Sequence, residues 1–215
     1  MSVKVVIFDF DGTLADTLNA IVSISNRLAG EYGYKPTAPE ELTQIRNLSS
    51  REIVKQSGIS LFKLPFLLKR VKADLRNDIQ QLNPIVGIKE SLIKLKAEGN
   101  RLGILTSNSE ENVKVFLQKH EMLELFSFIY SETQLFSKHK TLINFIKRNK
   151  LNPEDVIYVG DETRDIEAAK KINSKVIAVS WGFNTKEALA RHNPDFLIHQ
   201  PSELLDVMGS LAVTS

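Results

Sequence analysis

The sequence predicts an α/β fold, a doubly wound parallel sheet with a small α-helical cap domain inserted after its first strand. Short apolar runs rich in β-branched residues, such as 3–8 and 156–159, alternate with longer segments of helical periodicity. Between residues 17 and 83 the alternation stops and only helical spacing remains. These two observations place a helical insertion within an otherwise regular strand and helix sequence.

Apolar runs predict the strands and helices, and glycines and asparagines between them indicate where each one ends. The predicted strands cover residues 3–8, 102–105, 128–130, 156–159 and 176–179, with 196–198 as a possible edge strand. The predicted helices of the sheet domain cover residues 88–98, 111–120, 140–149 and 165–172. Because strands and helices alternate, we expect all strands to be parallel and both faces of the sheet to be covered.

The chain length allows one sheet domain with a small inserted lobe. At 215 residues the protein can bury a core without help from a partner. We predict a catalytic core formed by residues 1–14 and 85–215 and a helical cap formed by residues 15–84.

The composition excludes several classes of protein. Hydrophobic residues make up 42% and charged residues 25%, as in ordinary globular proteins, and the absence of cysteine removes disulfides, thiolate metal sites and cysteine nucleophiles. No apolar run approaches the roughly 18 residues of a membrane span, and no signal peptide is apparent. We therefore expect a cytoplasmic protein without a membrane partner, present as a monomer or weak dimer.

A basic segment, KHKTLINFIKRNK at residues 138–150, could form a nucleic-acid-binding face. Its apolar residues recur at helical spacing, which favours an amphipathic surface helix instead. The net charge of the chain is only +2, too small to predict a polyanionic partner. We expect no nucleic-acid partner.

Three predicted strands end in polar clusters, which read DFDGT at 9–13, TSN at 106–108 and GDETRD at 160–165. In a doubly wound sheet the carboxyl ends of the strands meet at one edge, where ligands bind. We therefore expect the three clusters to converge.

Four carboxylates would then share a small volume: Asp9, Asp11, Asp161 and Asp165. Such crowding is tolerable only if a cation neutralises the charges or some carboxyls are protonated. Oxygen ligands too few to enclose calcium suit Mg²⁺, which retains waters and leaves room for a substrate phosphate. The sequence thus predicts a Mg²⁺ site.

A phosphate at this site needs further donors. The hydroxyls of Thr106 and Ser107 and the backbone N–H groups of residues 107 and 108 lie at a strand-to-helix turn, a position that favours anions. Lys138 is the candidate counter-charge. One aspartate can then attack phosphorus, and Asp11, whose pKa its neighbours displace, can act as general acid and base.

Together these motifs resemble the haloacid dehalogenase superfamily of phosphotransferases, and most closely its phosphoglycolate phosphatase-like members with a helical C1-type cap. The resemblance implies that Asp9 is the nucleophile and Asp11 the general acid and base. It implies a Mg²⁺ ion held by Asp9, by the Asp11 backbone carbonyl and by Asp161, with Asp165 supporting the metal or its waters. The implied phosphate-binding residues are Thr106, Ser107, Asn108 and Lys138.

The resemblance extends to the predicted cap, which would close over the active site. The stretch IRNLSS at 45–50 lies where related caps carry a substrate-contacting loop, so Arg46 is a candidate substrate contact. Two features depart from the family pattern: Asn47 replaces a usual glycine, and ETR at 162–164 replaces small residues. The second aspartate of the first motif favours phosphate ester chemistry over carbon–halogen or carbon–phosphorus cleavage.

The sequence therefore predicts a Mg²⁺-dependent phosphatase acting on a small phosphorylated metabolite. Alternatives remain open: a phosphosugar mutase of the same superfamily, or a catalytically idle binding protein. Each polar feature also has an ordinary structural explanation. Asp9 and Asp11 could form a strand-ending turn, the TSN cluster and Asp165 could cap helices, and Lys138 and Arg46 could be surface charges.

Overall fold

A computed structural model describes residues 4–131 and 138–213 of the chain. Residue 3, the first of the predicted first strand, lies outside these ranges. Six parallel strands form one sheet in the order β3-β2-β1-β4-β5-β6. The strands are β1 (Val5–Phe8), β2 (Arg101–Thr106), β3 (Phe128–Ser131), β4 (Val156–Gly160), β5 (Lys175–Val179) and β6 (Phe196–Ile198). The predicted doubly wound parallel sheet is confirmed.

Strand β1 lies at the centre of the sheet. Its first residue, Val5, pairs with Arg101 of β2 on one side and with Val156 of β4 on the other. From β1 the chain winds outward through β2 and β3 on one side, and from β4 it winds outward through β5 and β6 on the other. The topological switch point therefore lies between β1 and β4. At such a point the connections diverge and leave a crevice beyond the carboxyl ends of the strands.

Ten α-helices are present in the described residues. They are α1 (Leu18–Tyr32), α2 (Leu42–Arg46), α3 (Ser50–Ser57), α4 (Leu64–Asp78), α5 (Ile88–Ala97), α6 (Glu110–Lys119), α7 (Lys138–Asn149), α8 (Thr163–Lys170), α9 (Lys186–Arg191) and α10 (Glu203–Val213). Within that part of the chain, no helix is both long and apolar enough to cross a membrane. Helices α7 and α8 each begin two residues earlier than predicted, and neither α9 nor α10 was predicted.

Alternate residues of β1 supply two separate apolar layers. Val6 and Phe8 belong to the cluster that α5, α6 and α10 cover, whereas Val5 and Ile7 belong to the cluster beneath α7 and α8. Successive side chains of a strand point to opposite faces, so a strand buried on both faces must be apolar throughout. This explains the uninterrupted apolar run that precedes the first polar cluster.

Helices α1 to α4 occupy the predicted cap region. Helices α1 and α4 and the segment after α3 share a third, smaller apolar cluster: Ile24, Leu28, Ile59, Leu67 and Leu75. The two segments that connect these helices to the sheet run side by side. The Asp16 N–H donates to the Asn83 carbonyl at 3.0 Å, and the Ile85 N–H donates to the Leu14 carbonyl at 2.9 Å. The division into core and cap at residues 14/15 and 84/85 stays a prediction.

Gly103 of β2 leaves room for the ring of Phe128 on the neighbouring strand. A Cβ atom at Gly103 would lie 1.9 Å from Cζ of Phe128, whose ring is confined by Phe145, with ring centres 4.6 Å apart. We predict that Gly103→Ala lowers the free energy of unfolding by about 1–3 kcal/mol in urea titrations, because the ring must move out of a packed position.

Two further variants test this cause of instability. Adding Phe128→Leu to Gly103→Ala should recover part of the loss, since a smaller side chain clears the new methyl group. Gly209→Ala in α10 meets no atom within 4 Å and should leave stability unchanged or slightly raised. Equal stability of Gly103→Ala and wild type would contradict the packing argument.

Candidate active site

The structure brings three of the predicted aspartates together at the switch point. Asp9 directly follows β1, Asp161 directly follows β4, and Asp165 lies in the first turn of α8. All three are buried, and one carboxylate oxygen of each lies within 4.8 Å of the others. Adjacent parallel strands thus place their terminal carboxylates in one volume, as the order of the polar clusters predicts.

Lys138, the first residue of α7, places its ammonium between two of these carboxylates. Its Nζ lies 2.5 Å from Oδ2 of Asp9 and 2.6 Å from Oδ1 of Asp165. Burial alone would lower the pKa of Lys138, but the charges of Asp165 and Asp9 outweigh it and raise that pKa well above its ordinary value. The lysine therefore stays charged and links α7, β1 and α8.

Asp161 is held by donors from two loops. Its Oδ1 accepts a hydrogen bond from the Thr13 hydroxyl at 2.7 Å, and its Oδ2 accepts one from the Phe183 N–H at 2.6 Å. Burial and then the negative charge of Asp9 raise the pKa of Asp161 well above its ordinary value. With all three carboxyls ionised, the cluster has three negative charges beside the single ammonium of Lys138.

Two glycines allow the backbone to approach Asp161. A Cβ atom would lie 2.3 Å from its Oδ2 at Gly12, where φ is +75°, and 2.2 Å from the same oxygen at Gly182. Any side chain at either position would displace the carboxylate. The glycine of the first motif is thus required both by its left-handed backbone and by the site.

Asp11 lies apart from the buried cluster and faces a cavity. Both of its carboxylate oxygens lie 3.1 Å from Nδ2 of Asn108, which donates to them. Burial and then the charge of Asp9 raise the pKa of Asp11 to about 7. A carboxyl with such a pKa can both release and accept a proton near neutral pH. Its carboxylate does not belong to the group of three aspartates that could hold a metal ion. Binding of Mg²⁺ by its backbone carbonyl stays a prediction.

The second polar cluster orients Asp11 through Asn108. The Thr106 hydroxyl accepts a hydrogen bond from the Asn108 N–H at 2.9 Å, and the Asn108 carboxamide oxygen accepts from Asn112 at 2.9 Å. These bonds fix the amide that donates to Asp11. Ser107 is half-buried and lines the cavity. The phosphate-binding roles of Thr106, Ser107, Asn108 and Lys138 remain predictions.

A cavity of about 580 Å³ separates the carboxyl edge of the sheet from helices α1 to α4. Polar groups of the sheet domain form its floor, among them Asp11, Ser107 and Asn108. Aliphatic side chains of the helices form most of its walls, including Ile21, Val22, Ile53, Leu68 and Val71. The general acid and base candidate therefore faces a space large enough for a small organic molecule.

Arg46 contacts the sheet domain in this structure. Its Nη2 donates to the Gly182 carbonyl at 2.8 Å and its Nε donates to the Phe183 carbonyl at 3.0 Å. Arg46 also lines the cavity, so its predicted contact with substrate stays a prediction. Sequence analysis missed Phe183 and Asn184 as site residues. Both residues follow β5, whose carboxyl end lies at the same edge of the sheet. Their position after a predicted strand could have identified them from the sequence.

The buried cluster fits a Mg²⁺ ion. Asp9, Asp161 and Asp165 offer only carboxylate oxygens, and the Lys138 ammonium contacts two of the three. When ionised, the three carboxylates outnumber the one ammonium that contacts them, and a divalent cation would neutralise the remaining negative charge. Hard oxygen ligands in this number suit Mg²⁺ with part of its water shell retained.

Comparison with known proteins identifies the family. Residues 6–179 match the model of the haloacid dehalogenase-like hydrolases. The chain is 39% identical over 208 residues to a phosphoglycolate phosphatase of Synechococcus elongatus, covering 97% of this chain and 98% of that protein. It is 24% identical to pyrophosphatase PpaX of Bacillus cereus, covering 98% and 99%. The chain belongs to the haloacid dehalogenase-like hydrolases.

Solved structures agree with this assignment. The crystal structure of a predicted phosphatase from Clostridium acetobutylicum superimposes with a TM-score of 0.83 at 19% identity, covering 97% of this chain and 100% of that one. The superposition confirms the α/β fold, and the family model with the 39% identical relative confirms the resemblance to the haloacid dehalogenase superfamily. The predicted enzyme class, a phosphoric monoester hydrolase resembling phosphoglycolate phosphatases, is confirmed as well.

Removal of the Lys138 ammonium tests the charge balance of the cluster. We predict that Lys138→Met lowers the free energy of unfolding by about 3–5 kcal/mol in the presence of EDTA, because two buried carboxylates lose their counter-charge. Added Mg²⁺ should stabilise this variant more than it stabilises wild type, since the cation replaces part of the lost charge. Chemical denaturation with and without Mg²⁺ measures both effects.

Lys140→Met is the matched control, because Lys140 is exposed and lies on the same helix two residues on. It should unfold like wild type under both conditions. A Lys138→Met variant as stable as this control would contradict the proposed charge balance.

Proposed function

We propose that the protein is a Mg²⁺-dependent phosphatase that hydrolyses a small phosphorylated metabolite through an aspartyl-phosphate intermediate. The observation that supports this most is the convergence of Asp9, Asp161 and Lys138 beneath a cavity that Asp11 faces. A candidate nucleophilic carboxylate and a cation-binding group therefore lie at the same edge of the sheet as a proton donor that faces the cavity, as phosphoryl transfer requires.

In the first step, a carboxylate oxygen of Asp9 attacks phosphorus, and the bond from phosphorus to the ester oxygen breaks. Asp11 donates its proton to the leaving oxygen, which departs as an alcohol. Asn108 keeps Asp11 directed at the cavity by donating to its carboxylate. The pKa of about 7 leaves a large fraction of Asp11 protonated at neutral pH, as a general acid requires.

In the second step, a water molecule attacks the phosphorus of the aspartyl phosphate. Asp11, now ionised, takes a proton from this water as general base. The bond from phosphorus to the Asp9 oxygen breaks, which releases inorganic phosphate and restores the carboxylate. The Lys138 ammonium, 2.5 Å from Asp9, stabilises negative charge at the nucleophile when the carboxylate re-forms.

Asp9 and Asp161 would hold Mg²⁺ with the backbone carbonyl of Asp11, and Asp165 would bind the ion or its waters. Mg²⁺ bound there would neutralise charge on the phosphoryl oxygens during transfer. Thr13, Phe183 and Lys138 keep these carboxylates in place through their hydrogen bonds. The phosphate itself would be bound by Thr106, Ser107, Asn108 and Lys138.

The substrate is proposed from the relatives and the cavity together. A relative at 39% identity is a phosphoglycolate phosphatase, which supports phosphoglycolate or a comparably small sugar phosphate as the substrate. Helices α1 to α4 would act as the cap, closing over the phosphoryl group to exclude water and contacting the rest of the substrate, with Arg46 as one contact. We propose that the enzyme works in the cytoplasm as a monomer or weak dimer.

Phosphate release from an ester panel tests the proposed function. We predict that wild type releases phosphate from para-nitrophenyl phosphate, phosphoglycolate or hexose phosphates only when Mg²⁺ is present. Asp9→Asn should lower kcat by at least about 10⁴-fold, because an amide cannot form the acyl phosphate. Asp16→Asn is the matched control, since Asp16 is exposed, and it should retain wild-type activity.

Three results would overturn the proposal. Mg²⁺-independent release, or release that survives Asp9→Asn, would exclude the proposed chemistry. Isomerisation of a sugar phosphate by wild type in the presence of a sugar bisphosphate, without net phosphate release, would identify a mutase instead.

Replacement of Asp11 tests its role as general acid. We predict that Asp11→Asn lowers kcat for alkyl phosphates by about 10²–10⁴-fold, because their leaving alkoxides need a proton. The loss for phosphorylation of the enzyme by para-nitrophenyl phosphate should be much smaller, since nitrophenolate leaves without protonation. Burst kinetics separate this step from hydrolysis of the intermediate. Equal losses for both leaving groups would contradict the assignment.

A further inference from the structure

Asn184 joins the carboxyl edge of the sheet to the segment between α2 and α3. It is 4% exposed, and its side-chain amide makes three hydrogen bonds. Its Oδ1 accepts from the Thr163 N–H at 2.9 Å, while its Nδ2 donates to the carbonyls of Arg46 at 2.8 Å and Leu48 at 2.9 Å. One buried side chain therefore holds the start of α8 and the end of α2 together.

The residues just before Asn184 hold Asp161 and Arg46 at the same time. The Phe183 N–H donates to Oδ2 of Asp161, while the carbonyls of Gly182 and Phe183 accept from the Arg46 guanidinium. The Asn184 N–H also donates to the Asp161 carbonyl at 3.2 Å. Residues 182–184 thus contact the candidate metal ligand through backbone N–H groups. They contact the predicted cap through two backbone carbonyls and the Asn184 side-chain amide.

Residues that depart from the family pattern extend this contact. The Asn47 carboxamide oxygen accepts from the Thr185 hydroxyl at 2.5 Å, and the Asn47 carbonyl accepts from Arg191 at 3.0 Å. The Ser50 hydroxyl donates to Glu162 at 2.7 Å. Residues 45–50, the end of α2 and its link to the start of α3, are called the 45–50 loop below. The presence of Asn47 and Glu162 is explained by these hydrogen bonds, which join the 45–50 loop to the sheet domain.

We propose that residues 182–185 couple docking of the 45–50 loop to the Mg²⁺ affinity of the Asp9 and Asp161 site, with Asn184 and Arg46 as positioning residues. The inference rests on the proposed function only in requiring that this site bind Mg²⁺. In this inference Arg46 positions residues 182 and 183 whether or not a substrate is bound.

The physical reason is that both sets of contacts are made by one short backbone segment. When the 45–50 loop undocks, the carbonyls of Gly182 and Phe183 lose the Arg46 donors, and Asn184 loses both of its acceptors. The segment is then free to move the Phe183 N–H away from Asp161. A ligand carboxylate that is less firmly positioned binds a small cation less tightly, since Mg²⁺ demands strict geometry.

Coupling of this kind is reciprocal. If docking raises the affinity for Mg²⁺, then Mg²⁺ must stabilise docking by the same factor. The ion would therefore favour the closed state of the predicted cap before substrate arrives, through residues that never contact the ion.

The test is Mg²⁺ binding to the full-length protein without any substrate, measured by calorimetry. We expect Arg46→Met and Asn184→Ala each to weaken Mg²⁺ binding by roughly five-fold or more. The double variant should bind no more weakly than the weaker single variant, because both substitutions break one connection. Arg70→Met is the matched control, an exposed arginine on α4 that pairs with Asp74 outside this contact, and it should bind Mg²⁺ like wild type.

Trp181 gives an independent readout. It is the only tryptophan of the chain, and its indole N–H donates to the Thr13 carbonyl at 3.2 Å, next to the residues in question. Its fluorescence should change on addition of Mg²⁺ to wild type, with the midpoint shifted to higher Mg²⁺ in Arg46→Met. Circular dichroism confirms that each variant is folded.

The possible outcomes are distinct. Wild-type Mg²⁺ affinity in Arg46→Met, together with a raised KM for the best ester, would overturn the coupling and leave Arg46 as a substrate contact and the phosphatase proposal intact. Absence of Mg²⁺ binding by wild type would overturn both proposals. Weaker Mg²⁺ binding in Arg46→Met and Asn184→Ala, but not in Arg70→Met, supports the coupling even if no ester is hydrolysed.

Discussion

Three buried carboxylates share one buried ammonium, and the rest of the site is arranged around this imbalance of charge. Asp9, Asp161 and Asp165 lie within reach of a single ion, and Lys138 compensates only part of their charge. Burial of unpaired carboxylates is costly, so hydrogen bonds to the carboxylates and a further cation would each stabilise the arrangement. In the proposed Mg²⁺ site, the repulsion between neighbouring carboxylates would contribute to the affinity for the cation.

The parallel sheet makes this arrangement possible. Adjacent strands β1 and β4 end side by side, so the residues that follow them are brought together without a long loop. Helices cover both faces of the sheet, and the apolar strands pack between them. This packing and the pairing of β1 with β4 fix the positions of the two strand ends. Glycines at 12 and 182 let the backbone pass so close to the Asp161 carboxylate that a Cβ atom at either position would clash with it. The precision of the site therefore comes from the strands, and its donors come from the loops.

Two aspartates separated by one residue are suited to different roles because their surroundings differ. Asp9 is buried against the ammonium of Lys138, whereas Asp11 turns to the cavity and to the neutral amide of Asn108. The charge of Asp9, together with burial, raises the pKa of Asp11 to about 7. One carboxylate therefore suits nucleophilic attack, and the other suits proton transfer near neutral pH.

The sequence was sufficient to predict the strands and the convergence of Asp9, Asp161, Asp165 and Lys138 at one edge of the sheet. Asp9, Asp161 and the TSN cluster were recognisable because each follows an apolar strand directly. The 182–185 segment was not predicted, because it acts largely through backbone N–H and carbonyl groups that any residue possesses. Helix α9 has six residues, too few to show a helical period, and α10 contains Gly209, which weakens helical propensity.

The identity of the phosphorylated residue tests the account most directly. The protein would be mixed with its best ester and Mg²⁺, quenched within milliseconds, reduced with borohydride and mapped by mass spectrometry. Reduction of an acyl phosphate converts aspartate to homoserine, so the account predicts homoserine at position 9 and at no other aspartate. Homoserine at Asp11, Asp161 or Asp165, or turnover of ester without any modified aspartate, would contradict it.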